Sequence, residues 1–420
     1  MRTLAFACAA AFAACAASAD TLPRFNADPA SVTVSGISSG GAMAIQAHVA
    51  YSGTFRHAAI FAGAAYDCAQ GSVAIAIGVC QEALTAAEIP VANLVAATRD
   101  WAGRGLIDDT ANLAQSRVYL FSGTLDQTVR QGGMDAARDY YLNFVPAGNV
   151  VYNNTTAAGH GWISPLGQVL CAAQQSPYVN NCNIDPEAAF LTLFYGALQP
   201  RQNGQLSGTF MAVDQNEFLD DRNAALHDMD NNAWVYVPAS CARGESCRVH
   251  VAYHGCSQSY SKIGDQFIRL ANLNEWADTN RILVLYPQAI AVPPNNGLGC
   301  WDWWGYDSPD YAKKNGPQLL ATKRMVDRIT AGYAPVAAPA NLAAVKTSGT
   351  SITLSWTPVS GAAGYRVYRN GTALGNDAIT TARYADRGLA QNTSYSYTVR
   401  AVADNGNMGP SADAVSASTR

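Results

Sequence analysis

The chain has 420 residues, of which 49% are hydrophobic and only 14% charged, with a formal net charge of −4. That length leaves room for two or more domains and a large core, and the apolar share excludes an intrinsically disordered chain. The slightly acidic balance supplies no basic footprint, which sets nucleic acid aside as a partner.

At the start, Arg2, the apolar run Leu4–Ala16 and Ala17-Ser18-Ala19 before Asp20 read as a secretory signal over residues 1–19. The run is too short to span a bilayer, so the expected product is secreted (extracellular or periplasmic), with no membrane partner. Two of the ten cysteines, Cys8 and Cys15, fall in this leader. The remaining eight are Cys68, Cys80, Cys171, Cys182, Cys241, Cys247, Cys256 and Cys300. An even number in an exported protein predicts four disulfides. Spacing does not determine the pairing; proximity favours Cys68–Cys80, Cys171–Cys182 and Cys241–Cys247, leaving Cys256–Cys300. No C-x-x-C pair or clustered Cys/His spacing supports a zinc site, and neither metal nor organic cofactor is expected.

A β-branched strand, Ser31–Val34, then enters Gly36-Ile37-Ser38-Ser39-Gly40, and small residues leave it in an expected helix, Gly41–Tyr51. The turn matches G-x-S-x-G, the pattern of a nucleophile elbow that presents a serine at a strand-to-helix turn. Only Ser38 fits the frame, because a frame centred on Ser39 would need glycine where Ile37 stands. Beyond it, apolar runs at His57–Ala65, Arg117–Phe121 and Asn149–Asn153 read as buried strands. Helical stretches are expected at Thr85–Thr98 and Asp135–Phe144. A second section, Asn232–Tyr333, adds strands at Trp234–Val237, Arg248–Tyr253 and Ile282–Tyr286, with helices at Leu270–Thr279 and Gln318–Thr330. Strands alternating with helices in this way predict an α/β fold with a mostly parallel sheet. Asn295–Tyr306 is a loop dense in aromatics, among them Trp301, Trp303 and Trp304.

A Pro/Ala linker, residues 334–340, follows. Residues 341–420 then carry short alternating strands at Ser351–Trp356, Gly364–Arg369, Ser394–Ala403 and Ala412–Ser418. This all-β segment resembles a fibronectin type III sandwich. Leu354-Ser355-Trp356 stands at the core tryptophan, and Leu389 and Tyr395 stand where a tyrosine corner falls. Trp356 and Tyr395 are therefore expected in its core.

A serine hydroxyl needs a base to take its proton, and the base needs an orienting carboxylate. Ser38 follows the first strand, Asp126 the strand ending at Phe121, and His160 the strand ending at Asn153. All three therefore lie beyond strand C-terminal ends, where open α/β sheets gather their sites, and in the chain order Ser…Asp…His of α/β-hydrolases. Of the other histidines, His48 falls inside a helix, His57 and His250 on strands, and His227 in an acidic run. The oxyanion of acyl transfer needs two N–H donors. The residue after the nucleophile, Ser39, supplies one; an H-G loop normally lies upstream and supplies the other. Here the H-G loop, Tyr253-His254-Gly255-Cys256-Ser257-Gln258, lies far downstream. The sheet is then complete only if its usual first strands have moved to the end of the domain by circular permutation.

This early elbow, with the His-Gly-Cys-Ser-Gln loop and Leu285-Tyr286-Pro287-Gln288 after it, resembles the type II catalytic domain of extracellular short-chain-length polyhydroxyalkanoate (poly-3-hydroxybutyrate) depolymerases. Unpermuted relatives include feruloyl and acetylxylan esterases. The resemblance covers about residues 20–333. It implies a circularly permuted α/β-hydrolase with Ser38 as nucleophile, His160 as base, Asp126 as its orienter, and the Ser39 and Cys256 amides as the oxyanion hole. It also implies that Cys256–Cys300 pins that loop to the aromatic one, and that Trp301, Trp303 and Trp304, with Trp162, are substrate-facing. The implied partner is a polyester or oligoester, and a monomer is the expected state. Related chains continue into a polymer-binding domain; with none here, soluble oligomers or amorphous polyester are the expected substrates. Two rival readings are an esterase for feruloyl, acetyl or synthetic aromatic esters, and an inactive hydrolase fold serving adhesion.

Overall fold

The computed structural model describes residues 21–333, 336–375, 378–403 and 408–420. The expected signal, residues 1–19, lies outside the described residues, as do Ala334 and Pro335 of the linker. In chain order the first eleven strands are β1 (Thr33–Ile37), β2 (His57–Phe61), β3 (Val118–Phe121), β4 (Val150–Asn153), β5 (Trp162–Ile163), β6 (Val169–Leu170), β7 (Val179–Asn181), β8 (Thr209–Asp214), β9 (Asn232–Val237), β10 (Arg248–Tyr253) and β11 (Ile282–Tyr286). Eight of them form one sheet in the order β4-β3-β2-β1-β10-β11-β9-β8. It is parallel from β4 to β11, and β9 runs antiparallel to both β11 and β8.

This topology is the permuted hydrolase sheet. β1 sits at its middle, with Thr33 opposite His57 of β2 on one side and His250 of β10 on the other. The half of the sheet beyond β10 comes from residues that follow β1 by well over a hundred positions. Alternation along each strand sorts side chains into two apolar layers. Val34, Ile60, Leu120, Val251 and Leu285 fill one. Ile37, Ala59, Phe61, Tyr119, Phe121, Ala252 and Val284 fill the other. Helix α1 (Ser39–Ala50) leaves β1 directly, and every one of its residues is buried. Its run of Gly and Ala on that path lets the helix axis lie close to the sheet.

Some boundaries differ from expectation, each for a local reason. The helix expected at Thr85–Thr98 is a short turn, Ala86–Glu88, followed by a helix at Val91–Gly103. Pro90 separates them, because the residue before a proline is driven to extended backbone, and Ile89 has φ −106°, ψ 127°. β2 stops at Phe61 because Ala62 turns to φ 41°. β8 and the helix Pro186–Tyr195 were not anticipated. All four favoured disulfides are present: Cys68–Cys80, Cys171–Cys182, Cys241–Cys247 and Cys256–Cys300.

The C-terminal segment forms two antiparallel sheets. Ala343–Thr347, Ser351–Ser355 and Arg383–Arg387 make one, and Gly364–Arg369 with Ser394–Val402 anchors the other. Ile352, Leu354, Trp356, Val367, Leu389 and Tyr397 are buried between them. Trp356 is a core residue as expected. Tyr395 is only half-buried, but its hydroxyl accepts the Ala390 N–H at 3.1 Å, which is the local tie a tyrosine corner makes.

Candidate active site

The turn after β1 is shaped by what its neighbours leave no room for. A Cβ on Gly36 would lie 2.0 Å from the Gly40 carbonyl oxygen. One on Gly40 would lie 2.3 Å from the His254 oxygen and 2.5 Å from that of Tyr253, so the end of β10 presses against the first turn of α1. Between them Ser38 adopts φ 59°, ψ −125°, a left-handed conformation that a side chain disfavours. Its N–H bonds to the Phe61 carbonyl at 3.0 Å and its own carbonyl receives the Ala42 N–H at 3.0 Å. The strained residue is thus held from both sides while 8% of its surface remains exposed.

Asp126 and His160 come from the loops after β3 and β4. The loops are laced together: Thr124 N–H donates to Thr156 O at 2.9 Å and Leu125 N–H to Ala158 O at 3.1 Å. Asp126 Oδ1 accepts the Thr128 and Val129 amides, each at 2.8 Å. Its Oδ2 accepts His160 Nδ1–H at 2.8 Å. One carboxylate oxygen is therefore fixed by backbone and the other is left for the imidazole. A neutral imidazole that donates from Nδ1 carries its lone pair on Nε2. Gln174 Oε1 bridges the two loops, accepting from Gln127 N–H at 3.1 Å and His160 N–H at 3.2 Å. Its loop is fastened by Cys171–Cys182.

Ser38 and His160 line one cavity of about 380 Å³. Cys256 lines it too, as do Trp303 and Trp304. A Cβ on Gly255 would lie 3.1 Å from Ser38 Cβ, which places the His254-Gly255-Cys256 loop directly against the serine. Ser39 is the first residue of α1, where N–H groups have no partner inside the helix. Two of the expected substrate-facing tryptophans need correction. Trp162 and Trp301 are fully buried and do not line the cavity. Trp162 is packed among Phe61, Phe190 and Phe267 with its Nε1–H on Ala271 O. Trp301 donates its Nε1–H to His254 O at 3.0 Å. Both are core residues because their only polar atom already has a partner inside the protein.

Four of the other histidines, His48, His57, His227 and His250, lie away from the cavity. His48 lies between Tyr141 and Ser116, and His250 between Thr33 and Ser35; burial pushes the pKa of each down to about 3. His57 is lowered to about 4 by burial. His227 is bonded to Asp307 and lies near Asp221, which together raise its pKa despite partial burial. Among the described residues, no cluster of three or more His, Cys, Asp and Glu could hold a metal ion.

One wall of the cavity carried no sequence signal beyond its cysteines. The Cys68–Cys80 loop contributes Val73, Ala76 and Ile77, and Gln81 just after it adds to the same wall, with Val73 and Ile77 about half exposed (51% and 54%). Its base is tied to the segment just after the aromatic loop by Asp67, which accepts the Tyr311 hydroxyl. Burial pushes the Asp67 carboxyl up to about 6, opposed by that hydrogen bond and by the Lys313 charge. A carboxyl with a pKa higher in the folded chain than in the unfolded one stabilises the fold below its unfolded value, near 4. That increment is lost as pH rises through about 6. Asp67→Asn keeps an acceptor for Tyr311 and cannot ionise. Its melting temperature is expected to exceed that of the parent at pH 8, with the gap narrowing between about pH 6 and pH 4. Calorimetry across that range checks it; a gap independent of pH would mean that Asp67 ionises as readily folded as unfolded.

Comparison with known proteins agrees with this architecture. Residues 337–417 match the fibronectin type III domain family. The chain is 44% identical over 408 residues to the poly(3-hydroxybutyrate) depolymerase of Delftia acidovorans, covering 94% of this chain and 80% of that one. It is 38% identical over 338 residues to the polyhydroxybutyrate depolymerase of Talaromyces funiculosus, covering 77% of this chain and 96% of that one. A solved PHB depolymerase complexed with an R3HB trimer superposes with a TM-score of 0.69 at 36% identity, over 75% of this chain and all of the other. With its permuted hydrolase sheet and these two relatives, the chain belongs to the poly(3-hydroxybutyrate) depolymerase family.

Proposed function

We propose that this chain is a secreted serine esterase that hydrolyses poly(3-hydroxybutyrate)-type polyesters and their oligomers through an acyl-enzyme. The observation that carries the reading is the Asp126–His160 pair opening on the same cavity as the strained Ser38. His160 Nε2 takes the proton of Ser38 Oγ as that oxygen bonds to the ester carbonyl carbon. The carbonyl oxygen becomes an oxyanion held by the Ser39 and Cys256 amides. The ester C–O bond then breaks, and His160 returns its proton to the departing hydroxyl end. Water, deprotonated by the same histidine, attacks the acyl-serine and releases the hydroxy acid.

The cavity suits such a substrate. Its lining includes Trp303 and Trp304 together with Val73, Ala76 and Ile77, apolar surface that suits an aliphatic polyester carrying no charge along its length. We assign substrate contact to these two tryptophans. Residues 20–333 form the proposed catalytic domain and residues 341–420 a fibronectin-type appendage. Export agrees with the four disulfides, and among the described residues no helix is long and apolar enough to cross a membrane.

Product analysis on 3-hydroxybutyrate oligomers and polymer films, run beside methyl ferulate, tests the reading. Release of 3-hydroxybutyrate or its short oligomers without ferulate is the expected outcome. Ferulate release with intact oligomers would move the chain to the aromatic esterases, and inertness towards every ester would leave a binding protein.

A further inference from the structure

The reading above needs the Cys256 amide to face the reacting carbonyl, and the structure shows what would hold it there. A peptide group is planar and trans, so the Gly255 C=O and the Cys256 N–H point in opposite directions. Fixing the carbonyl fixes the amide. The Gly255 oxygen lies 2.7 Å from His254 Nδ1 and also accepts the Gln258 N–H at 3.2 Å. The other side of Gly255 is held too, its N–H bonding to Gln258 Oε1 at 2.8 Å. Gln258 is in turn anchored by its Nε2 on Pro177 O and Tyr178 O.

His254 can serve that carbonyl only as a donor from Nδ1, and a second contact makes it one. The Ala289 backbone N–H points at His254 Nε2 at 3.1 Å. A backbone N–H can only donate, so Nε2 must carry the lone pair and the proton of the neutral ring must sit on Nδ1. The ring is fully buried and wedged between Trp301 and Phe267, and burial lowers its pKa to about 4, so it stays neutral. Ala289 follows β11 and His254 follows β10, so the tautomer is set by the neighbouring strand's end.

We infer that His254 is a positioning residue: its Nδ1–H, fixed in that tautomer by Ala289, locks the Gly255–Cys256 peptide with the Cys256 N–H turned to the oxyanion. A flipped peptide would put a carbonyl where a donor is required. The inference rests on the proposed oxyanion hole, and it assigns the histidine of the H-G loop a task separate from base catalysis.

Two substitutions separate this role from packing. His254→Asn places its amide nitrogen where Nδ1 stands and keeps a donor for Gly255 O. His254→Gln reaches the Nε2 position and keeps an acceptor for Ala289, but it has no donor for Gly255 O. With p-nitrophenyl butyrate, H254Q is expected to lose on the order of 10²-fold in kcat with KM little changed, the size of losing one oxyanion donor. H254N is expected to stay within about tenfold of the parent. Equal losses in the two variants, a larger loss in H254N, or a change confined to KM would overturn the lock. Nitrogen-15 NMR of the histidine-labelled parent needs no variant to fold. The proposal requires a proton on Nδ1 of His254, and an Nε2–H tautomer would sink it. The underlying hole is read independently, from the Cys256 amide resonance when butylboronic acid forms its tetrahedral adduct. An unmoved resonance removes Cys256 from the hole, whereas a moved one with an Nε2–H tautomer removes only the lock.

Discussion

Ser38→Ala is expected to lower kcat on p-nitrophenyl butyrate and on 3-hydroxybutyrate oligomers by about 10⁴-fold or more, leaving residual turnover from the binding site and oxyanion donors. The substitution removes one oxygen and nothing else that the fold uses. Alanine keeps the Cβ, so the φ 59° backbone, its N–H bond to the Phe61 carbonyl and the bond it receives from the Ala42 N–H are unchanged, and the melting temperature should stay close to the parent's. Oligomer binding should survive, because the cavity walls are untouched. The neighbouring serine is the internal control. Ser39 Oγ accepts the Trp301 N–H at 3.3 Å, while its proposed part in the reaction is its main-chain amide. Ser39→Ala keeps that amide and should lose far less than Ser38→Ala. If the two variants lost comparable activity, or Ser38→Ala retained more than a few per cent, the nucleophile would have to be sought elsewhere.

The elements that a linear reading reaches most easily are those buried on both faces. Val118–Phe121 and Ile282–Tyr286 are apolar throughout because layers packed on both faces of the sheet bury them, and runs of four or five such residues fit the length of a strand. β8 escaped notice because it is the outermost strand, mostly half-buried, and its Thr-Phe-Met-Ala-Val-Asp carries a weak alternation. The helix Pro186–Tyr195 was missed although Asp185 caps it, accepting the Ala188 N–H at 2.9 Å with Pro186 in the first turn; that start signal was present. The chain order of Ser38, Asp126 and His160 was legible because each follows a recognisable strand.

Which tryptophan meets the cavity was not legible, since one loop sends Trp301 inward to His254 O and leaves Trp303 and Trp304 in the wall. Trp162 shows the same limit. Two residues after His160, at the start of β5, it turns into the aromatic core. Gln174 carries no motif that would mark it, and Gln258, although it closes the His-Gly-Cys-Ser-Gln loop, was given no task of its own; their roles come from backbone groups brought together only by the fold. The disulfides were within reach because three of the four close short loops, with separations of 12, 11 and 6 residues.

Asp126→Asn is expected to cost about 10³- to 10⁴-fold in kcat, and to be no milder than Asp126→Ala despite being nearly isosteric. The reason lies in how the carboxylate is held. Its Oδ1 accepts two backbone amides, Thr128 and Val129. In the asparagine variant only the side-chain oxygen can accept, so it must take that position, and the NH₂ group is forced to face His160. The imidazole must then accept at Nδ1, which puts its proton on Nε2 and removes the lone pair that would take the Ser38 proton. Alanine leaves His160 unoriented but free to adopt the active tautomer part of the time. Folding should be little affected in Asp126→Asn, because the amide keeps the two bonds that shape its loop, so the loss should appear in kcat while the melting temperature stays near the parent's. Activity ordered Asn above Ala would mean that Asp126 merely braces the Thr128–Val129 turn, and the orienting carboxylate would have to be another residue.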